Sequence, residues 1–236
     1  IYSIAYLTKA KKEKDTIRIA NGYSQLASLT EKYKLEIAIK YSDSIIVLTK
    51  NIKNKIYPGL GYLIKGMCHN QIGNYNNALS NYLIAQEYAL KNKNSEQLFY
   101  IKNLIGQLKL FWGNKEEALE IFKSQLIEIE QTYNYKDQEQ HYFSILFNLS
   151  NCFILLKEYD SALFYSKIGI QKSLKSNKTN KYYEFVAQSG EILYYQNYLK
   201  MKKESAFNEM SYVEKRRKDK NFGKLIKSVQ KHKNRR

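Results

Sequence analysis

The sequence predicts an all-α fold, a solenoid of antiparallel helix pairs. The chain has 236 residues but only ten glycines and one proline, whereas sheet-rich folds need frequent Gly and Pro turns. Its apolar residues recur at helical spacing. A small residue recurs at intervals of 40, 40, 44 and 44 residues, at Ala38, Ala78, Ala118, Ala162 and Ala206. Such a period predicts repeated helix-turn-helix units of 40–44 residues.

The middle three units share more than this alanine. Twelve residues before it stands Gly66, Gly106 or Ser150. Small residues at both points let two helices approach closely, which gives the pattern a physical cause. Between these small residues, Gly73-Asn74 and Gly113-Asn114 supply the turns that join the two helices of a unit.

The elements follow in chain order. We predict that residues 1–14 are a helix remaining from a truncated preceding repeat and that residues 15–214 form an array of about five units. Asp15 and Asn94 are expected helix caps, because their side chains can accept from the first free N–H groups. The predicted helix pairs are 16–29 with 35–50, 57–71 with 75–91, 95–112 with 115–131, 137–156 with 160–174, and 179–198 with 202–218. The fifth pair matches only through its spacing and Ala206.

Residues 215–236 carry the excess of positive charge. They contain eleven Lys and Arg residues against one acid, Asp219, so the first 214 residues hold about +7 of the net charge of +17 (17 − 10). A competing explanation of the positive charge is codon choice, because an A/T-rich genome makes lysine and asparagine abundant. One helical stripe is formed by Phe222, Leu225, Ile226 and Val229, which predicts a basic amphipathic tail or linker helix.

The repeated residues resemble a tetratricopeptide-repeat (TPR) protein over about residues 16–214. The matching residues of the second unit are Gly66, Gly73, Asn74, Tyr75, Ala78, Leu79, Tyr82 and Ala85. The resemblance implies a right-handed superhelix whose concave groove is lined by the first helix of each unit. Units longer than the family's standard repeat, with many Lys, Asn and Tyr residues, resemble sensor regions of bacterial multidomain transcriptional regulators or kinases. There the repeats precede a membrane span and a helix-turn-helix DNA-binding or kinase domain.

The resemblance also implies which residues face the groove. Counted from the small residue of each first helix, these are Met67, Asn70, Gln71, Asn103, Gln107, Phe111, Asn148 and Asn151. Asn and Gln amides offer a donor and an acceptor, so they can pair with a peptide backbone. Apolar neighbours would bury the side chains of the partner. We therefore expect a non-catalytic scaffold or sensor that binds a peptide or protein segment.

The alternative function is nucleic-acid binding through the basic tail and lysine-rich faces. The tail could equally contact an anionic membrane surface. Its candidate residues are Lys215, Arg216, Arg217, Lys218, Lys224, Lys227 and Lys231. Tyr182, Tyr183, Tyr194, Tyr195 and Tyr198 could stack bases beside lysines. Helical spacing explains these tyrosines more simply as packing between the fourth and fifth units and as a terminal cap.

No pattern in the sequence predicts an enzyme, a cofactor or a metal. His69, His141 and His232 lie in different units or in the tail, without metal-ligand spacing. His69 is expected to pack between helices. Cys68 and Cys152 occupy equivalent positions two repeats apart, which is too far for a disulfide, so we predict two buried thiols.

The ends of the chain carry a further expectation. The first residue is Ile1 rather than Met, which indicates a processed or truncated piece of a longer protein. The sequence has no signal-peptide pattern and no apolar run of the roughly 18 residues that a membrane span needs. We therefore expect a cytoplasmic location.

Overall fold

The computed structural model describes residues 2–31, 33–131 and 139–218, with side chains as far as Asn208, and these ranges contain helices but no strands. The helices are α1 (Tyr2–Glu13), α2 (Thr16–Thr30), α3 (Leu35–Thr49), α4 (Gly59–Gln71), α5 (Tyr75–Lys91), α6 (Ser95–Phe111), α7 (Lys115–Gln131), α8 (Glu139–Leu156), α9 (Tyr159–Lys175) and α10 (Thr179–Lys218). The all-α prediction is confirmed for the described residues. The chain divides into two compact units, and the boundary in the sequence lies between Leu156 and Lys157.

Within the first unit each helix packs against the next one along the chain, from α1 to α8. Additional contacts join α2 to α4 and α6 to α8, so alternate helices are also neighbours. In the second unit α9 packs against α10. The packing of consecutive helices is compatible with a helical solenoid.

Local chemistry explains where several helices begin and end. The Asp15 carboxylate accepts from the backbone N–H of Arg18 at 3.0 Å, and the Asn94 side chain accepts from that of Gln97 at 3.1 Å. These bonds cap α2 and α6 as predicted. Gly73 and Gly113 follow α4 and α6 at φ of +83° and +84°, a left-handed conformation that glycine adopts without strain.

Small residues hold neighbouring helices in close contact. A Cβ atom at Gly66 would stand 2.6 Å from the ring of Tyr82, and one at Gly106 would stand 2.7 Å from the ring of Phe122. Ala78 and Ala118 are fully buried beside them. The repeated small residues therefore lie where one helix receives an aromatic ring of the next, which is the close approach that their spacing predicted.

The fifth predicted helix pair is wrong. Helix α10 runs without interruption for 40 residues, through the turn predicted between Tyr198 and Lys202. Ala206, the residue expected at a helix contact, is exposed. Residues 198–203 include Leu199 and several lysines, which favour helix, and no Gly or Pro that would end one. In its first half, α10 buries Phe185 and Ile192.

The N-terminal prediction is confirmed in its helical part. Residues 2–13 form α1, which packs against α2 and buries Leu7 and Ala10. The side chain of Leu7 occupies the space beside Gly22, since a Cβ atom at Gly22 would stand 3.0 Å from the Leu7 side chain. The existence of a preceding repeat stays a prediction. Within the described ranges, no helix combines the length and hydropathy that crossing a membrane requires.

We predict that Gly66→Ala destabilises the first unit. The added methyl group collides with the Tyr82 ring, and overpacking of this kind costs about 1–3 kcal/mol. Gly190 is the matched control, since a Cβ there meets no atom within 4 Å, and Gly190→Ala should add about 0.5–1 kcal/mol through helix propensity. Urea unfolding measures both changes. Equal effects of the two substitutions would show that the contact at Gly66 is not tight.

Candidate ligand-binding site

A cavity of about 420 Å³ lies between helices of the first unit. Helices α2, α4 and α6 form its walls, the connection before α4 closes one side, and His141 of α8 reaches it. Its apolar lining consists of Ile56, Leu60, Leu63, Ile64 and Met67. Its polar lining consists of Ser24, Ser28, Glu31, Asn94, Glu96, Gln97, Tyr100 and His141. Such a mixture of an apolar floor and a few polar groups is typical of ligand pockets.

The cavity lies on the first helices of successive predicted units, where the sequence placed the binding surface. Of the predicted residues, Met67 lines it. Gln71 lies beside it, because its Nε2 donates to Glu31 Oε1 at 2.7 Å. Asn70 and Asn151 are half-buried, and Gln107 is exposed. Phe111 is 65% exposed and packs against Tyr75 with ring centroids 4.6 Å apart.

Two of the predicted groove amides bind each other. Asn148 Nδ2 donates to Asn103 Oδ1 at 2.7 Å, joining α8 to α6, and each residue is only 6% exposed. The two amides are therefore largely buried and held by each other, and their role in a groove stays a prediction. The pair leaves one donor, Nδ2 of Asn103, and one acceptor, Oδ1 of Asn148, without a hydrogen bond to any described residue.

Burial controls the ionisation of the groups around the cavity. It raises the pKa of Glu31, while the hydrogen bond from Gln71 acts in the opposite direction. Burial, followed by the Glu31 charge, raises the pKa of Tyr100. It lowers the pKa of His141, while the Glu96 charge acts in the opposite direction. The centroid of the His141 ring lies 4.9 Å from that of the Phe99 ring.

Residues that could carry chemistry are packed into the helical layers. Cys68 and Cys152 are free and buried, which confirms the prediction of two buried thiols. Burial raises the pKa of Cys68 to about 11 and that of Cys152 to about 12, which disfavours the reactive thiolate. His69 is half-buried, and burial lowers its pKa as well. Among the described residues, no three His, Cys, Asp or Glu side chains lie together as a metal site would require. His232 lies outside the described residues.

Lysines line two other cavities. One, of about 510 Å³ in the second unit, is lined in part by Lys157, Lys200 and Lys203. The other, of about 370 Å³ in the first unit, is lined in part by Lys50, Lys53 and Lys91. Of the predicted tail residues, Lys215, Arg216, Arg217 and Lys218 lie on α10 with side chains outside the described part. Lys224, Lys227 and Lys231 lie outside the described residues.

The tyrosines of α10 are less buried than predicted. Tyr183 and Tyr194 are 63% and 66% exposed, so an interior packing role is wrong for them. Neighbouring tyrosine rings instead contact each other. The ring centroids of Tyr182 and Tyr183 lie 5.3 Å apart, and those of Tyr194 and Tyr198 lie 6.5 Å apart.

Comparison with known proteins supports the fold alone. No protein-family model matches the chain, and no curated protein matches it. The structure of this chain is similar to the crystal structure of BtubC (BKLC) from P. vanneervenii, with a TM-score of 0.63 and 16% sequence identity. The match covers 83% of this chain and 90% of that chain. This likeness fits a helical repeat fold and carries no statement about function.

We predict that the Asn103–Asn148 pair stabilises the contact between α6 and α8. Asn148→Ala leaves a buried oxygen of Asn103 without its donor, which costs about 1–3 kcal/mol. Replacing both residues with Leu should cost less than the sum of the two single changes to Ala. Urea unfolding gives the values, and Gln107→Ala on the exposed face of α6 is the control. Single variants as stable as that control would contradict the role.

Proposed function

We propose that this chain is a non-catalytic scaffold or sensor of the TPR type that binds a peptide or protein segment at the cavity between α2, α4 and α6. The observation that carries the proposal is the cavity itself. Its volume of about 420 Å³ falls within the roughly 300–1,000 Å³ that is usual for ligand sites. It is built from three successive first helices, so a segment lying across them would contact several units at once.

The surroundings of the cavity supply what an extended segment needs. Ser24, Ser28 and Gln97 line the cavity and carry polar groups that can pair with the N–H and C=O groups of a peptide unit. Leu60, Leu63 and Met67 offer apolar surface for a side chain.

The proposal extends to a place in a larger protein. Long repeats rich in Lys, Asn and Tyr resemble the sensor regions of bacterial transcriptional regulators and kinases. In such a protein a ligand that bridges α2, α4 and α6 would favour one packing of these helices over another. The difference in packing would then pass along the array to a downstream helix-turn-helix or kinase domain.

We predict that Ser28→Tyr abolishes peptide binding. Ser28 is exposed at the cavity, so a phenol there fills the space without disturbing the core. Gln25→Tyr is the matched control, because Gln25 is exposed on the same helix but does not line the cavity. Peptides selected from a displayed random library on the unaltered protein provide the probes, and fluorescence anisotropy gives Kd. Equal affinity of the two variants would place the site elsewhere.

Nucleic-acid binding is the second candidate, and the two lysine-lined cavities favour it. This candidate predicts an affinity for DNA or RNA that falls steeply with salt, because bound lysines release counterions from phosphates. Deleting Lys215–Arg236 should then abolish that affinity. Measuring Kd for a double-stranded DNA and a single-stranded RNA at two salt concentrations decides between the functions. Salt-insensitive or undetectable binding would reject the nucleic-acid function.

A further inference from the structure

The cavity between α2, α4 and α6 has the opposite charge to the protein as a whole. The chain carries a net charge of +17, and lysines line both of the other cavities described above. The α2–α4–α6 cavity is instead lined by two carboxylates, Glu31 and Glu96, and by no Lys or Arg. Burial lowers the pKa of His141, which favours the neutral form of its ring, while the Glu96 charge acts in the opposite direction. A ligand entering this cavity therefore meets negative charge.

Glu31 is the carboxylate on which this charge depends. It is half-buried at the C-terminal end of α2, where Gln71 donates to its Oε1 at 2.7 Å. Glu31 makes no salt bridge with any described residue. Elsewhere carboxylates at helix contacts are paired, as Asp43 is with Lys65 at 2.7 Å and Glu117 with Lys109 at 2.7 Å. Glu31 is thus held in place by a neutral amide that leaves its charge uncompensated.

Its position makes this charge unfavourable for the fold. A helix C-terminus carries partial negative charge, so a carboxylate there is destabilising, and α2 has no basic residue in its last turn. Burial adds to the penalty, which is why the pKa of Glu31 is raised. A destabilising charge beside a cavity is a common mark of a binding site.

The other residues that line the cavity indicate the chemistry of the group that would pair with Glu31. Leu60, Leu63 and Met67 line the same cavity as Glu31, and we call these three residues its apolar floor. Tyr100 lines the same cavity, and an aromatic face attracts a cation. Lysine and arginine combine a cation with an apolar stem that packs along such a floor. The ligand that fits both features is a basic side chain.

We propose that the α2–α4–α6 cavity binds a lysine or arginine side chain of a partner protein segment, with Glu31 as the counter-ion and the floor of Leu60, Leu63 and Met67 as the contact for the stem. The proposal rests on the proposed function, since it names the chemistry of the segment that the cavity takes. It goes further in predicting that the site selects its partner by positive charge.

Three blocked tripeptides test the selection, namely acetyl-Leu-X-Leu-amide with X as lysine, norleucine or glutamate. Norleucine keeps the apolar stem and removes the charge. Protein labelled with ¹³C at the methionine methyl groups reports binding through Met67, which lines the cavity, while the 68% exposed Met201 serves as an internal control. We expect the lysine peptide to move the Met67 resonance with an affinity about five- to tenfold above that of norleucine. The glutamate peptide should bind more weakly than either.

Two variants with the same change of charge complete the test. Glu31→Gln keeps an acceptor for Gln71 and should bring the affinities for lysine and norleucine together, without weakening norleucine binding. Glu87→Gln, at an exposed position away from the cavity, should leave the preference for lysine unchanged. A preference that survives Glu31→Gln, or equal affinities in the unaltered protein, overturns the charge selection while the binding site stands. No movement of Met67 with any peptide overturns the proposed function too.

The basic tail of the chain is the competing occupant. If it fills the cavity, substituting Lys224, Lys227 and Lys231 with Glu in the full chain will move the Met67 resonance in the absence of any peptide. That result would overturn the assignment to a partner protein. An unchanged resonance, together with the preference for the lysine peptide, supports it.

Discussion

The close approach of helices at small residues is the constraint on which the first unit depends. At Gly66 and Gly106 an aromatic ring of the next helix occupies the space that a side chain would fill. This contact fixes the distance between the two helices of a pair, because a closely packed interior tolerates little change in volume. The same kind of contact recurs within the pairs α4–α5 and α6–α7, and each helix of the first unit also packs against the next one along the chain.

The cavity follows from the same packing. Tight contacts join consecutive helices, whereas α2 and α4 touch at fewer points, and the space between these first helices stays partly open. Hydrogen bonds between distant parts of the sequence hold Glu31 at the cavity and join α8 to α6 beyond it. Gln71 binds Glu31 across 40 residues, and Asn148 binds Asn103 across 45. The site is therefore as rigid as the array that forms it.

The distribution of charge gives the cavity its chemical character. Residues 215–236 carry +10 of the net charge of +17, and exposed lysines elsewhere contribute little to stability. The carboxylate of Glu31 is partly withdrawn from water beside an apolar floor, where its field is screened less. One such group therefore influences the choice of ligand more than several exposed lysines. Net charge alone would have suggested an acidic partner.

The sequence by itself determined the helical class, the repeat period, the caps at Asp15 and Asn94, and the left-handed turns at Gly73 and Gly113. These features are local, since each depends on residues within one or two turns of the chain. The continuous helix near Met201 also depends on local residues. The prediction of a turn there failed because it relied on the repeat spacing, although the residues at that point favour a helix. Only the tertiary structure decided that Asn103 and Asn148 bind each other and that Glu31 faces a cavity without a cation. Those outcomes depend on which side chains the packing brings together from distant parts of the chain, and spacing along one helix does not show which side chain of another helix will lie opposite a given residue.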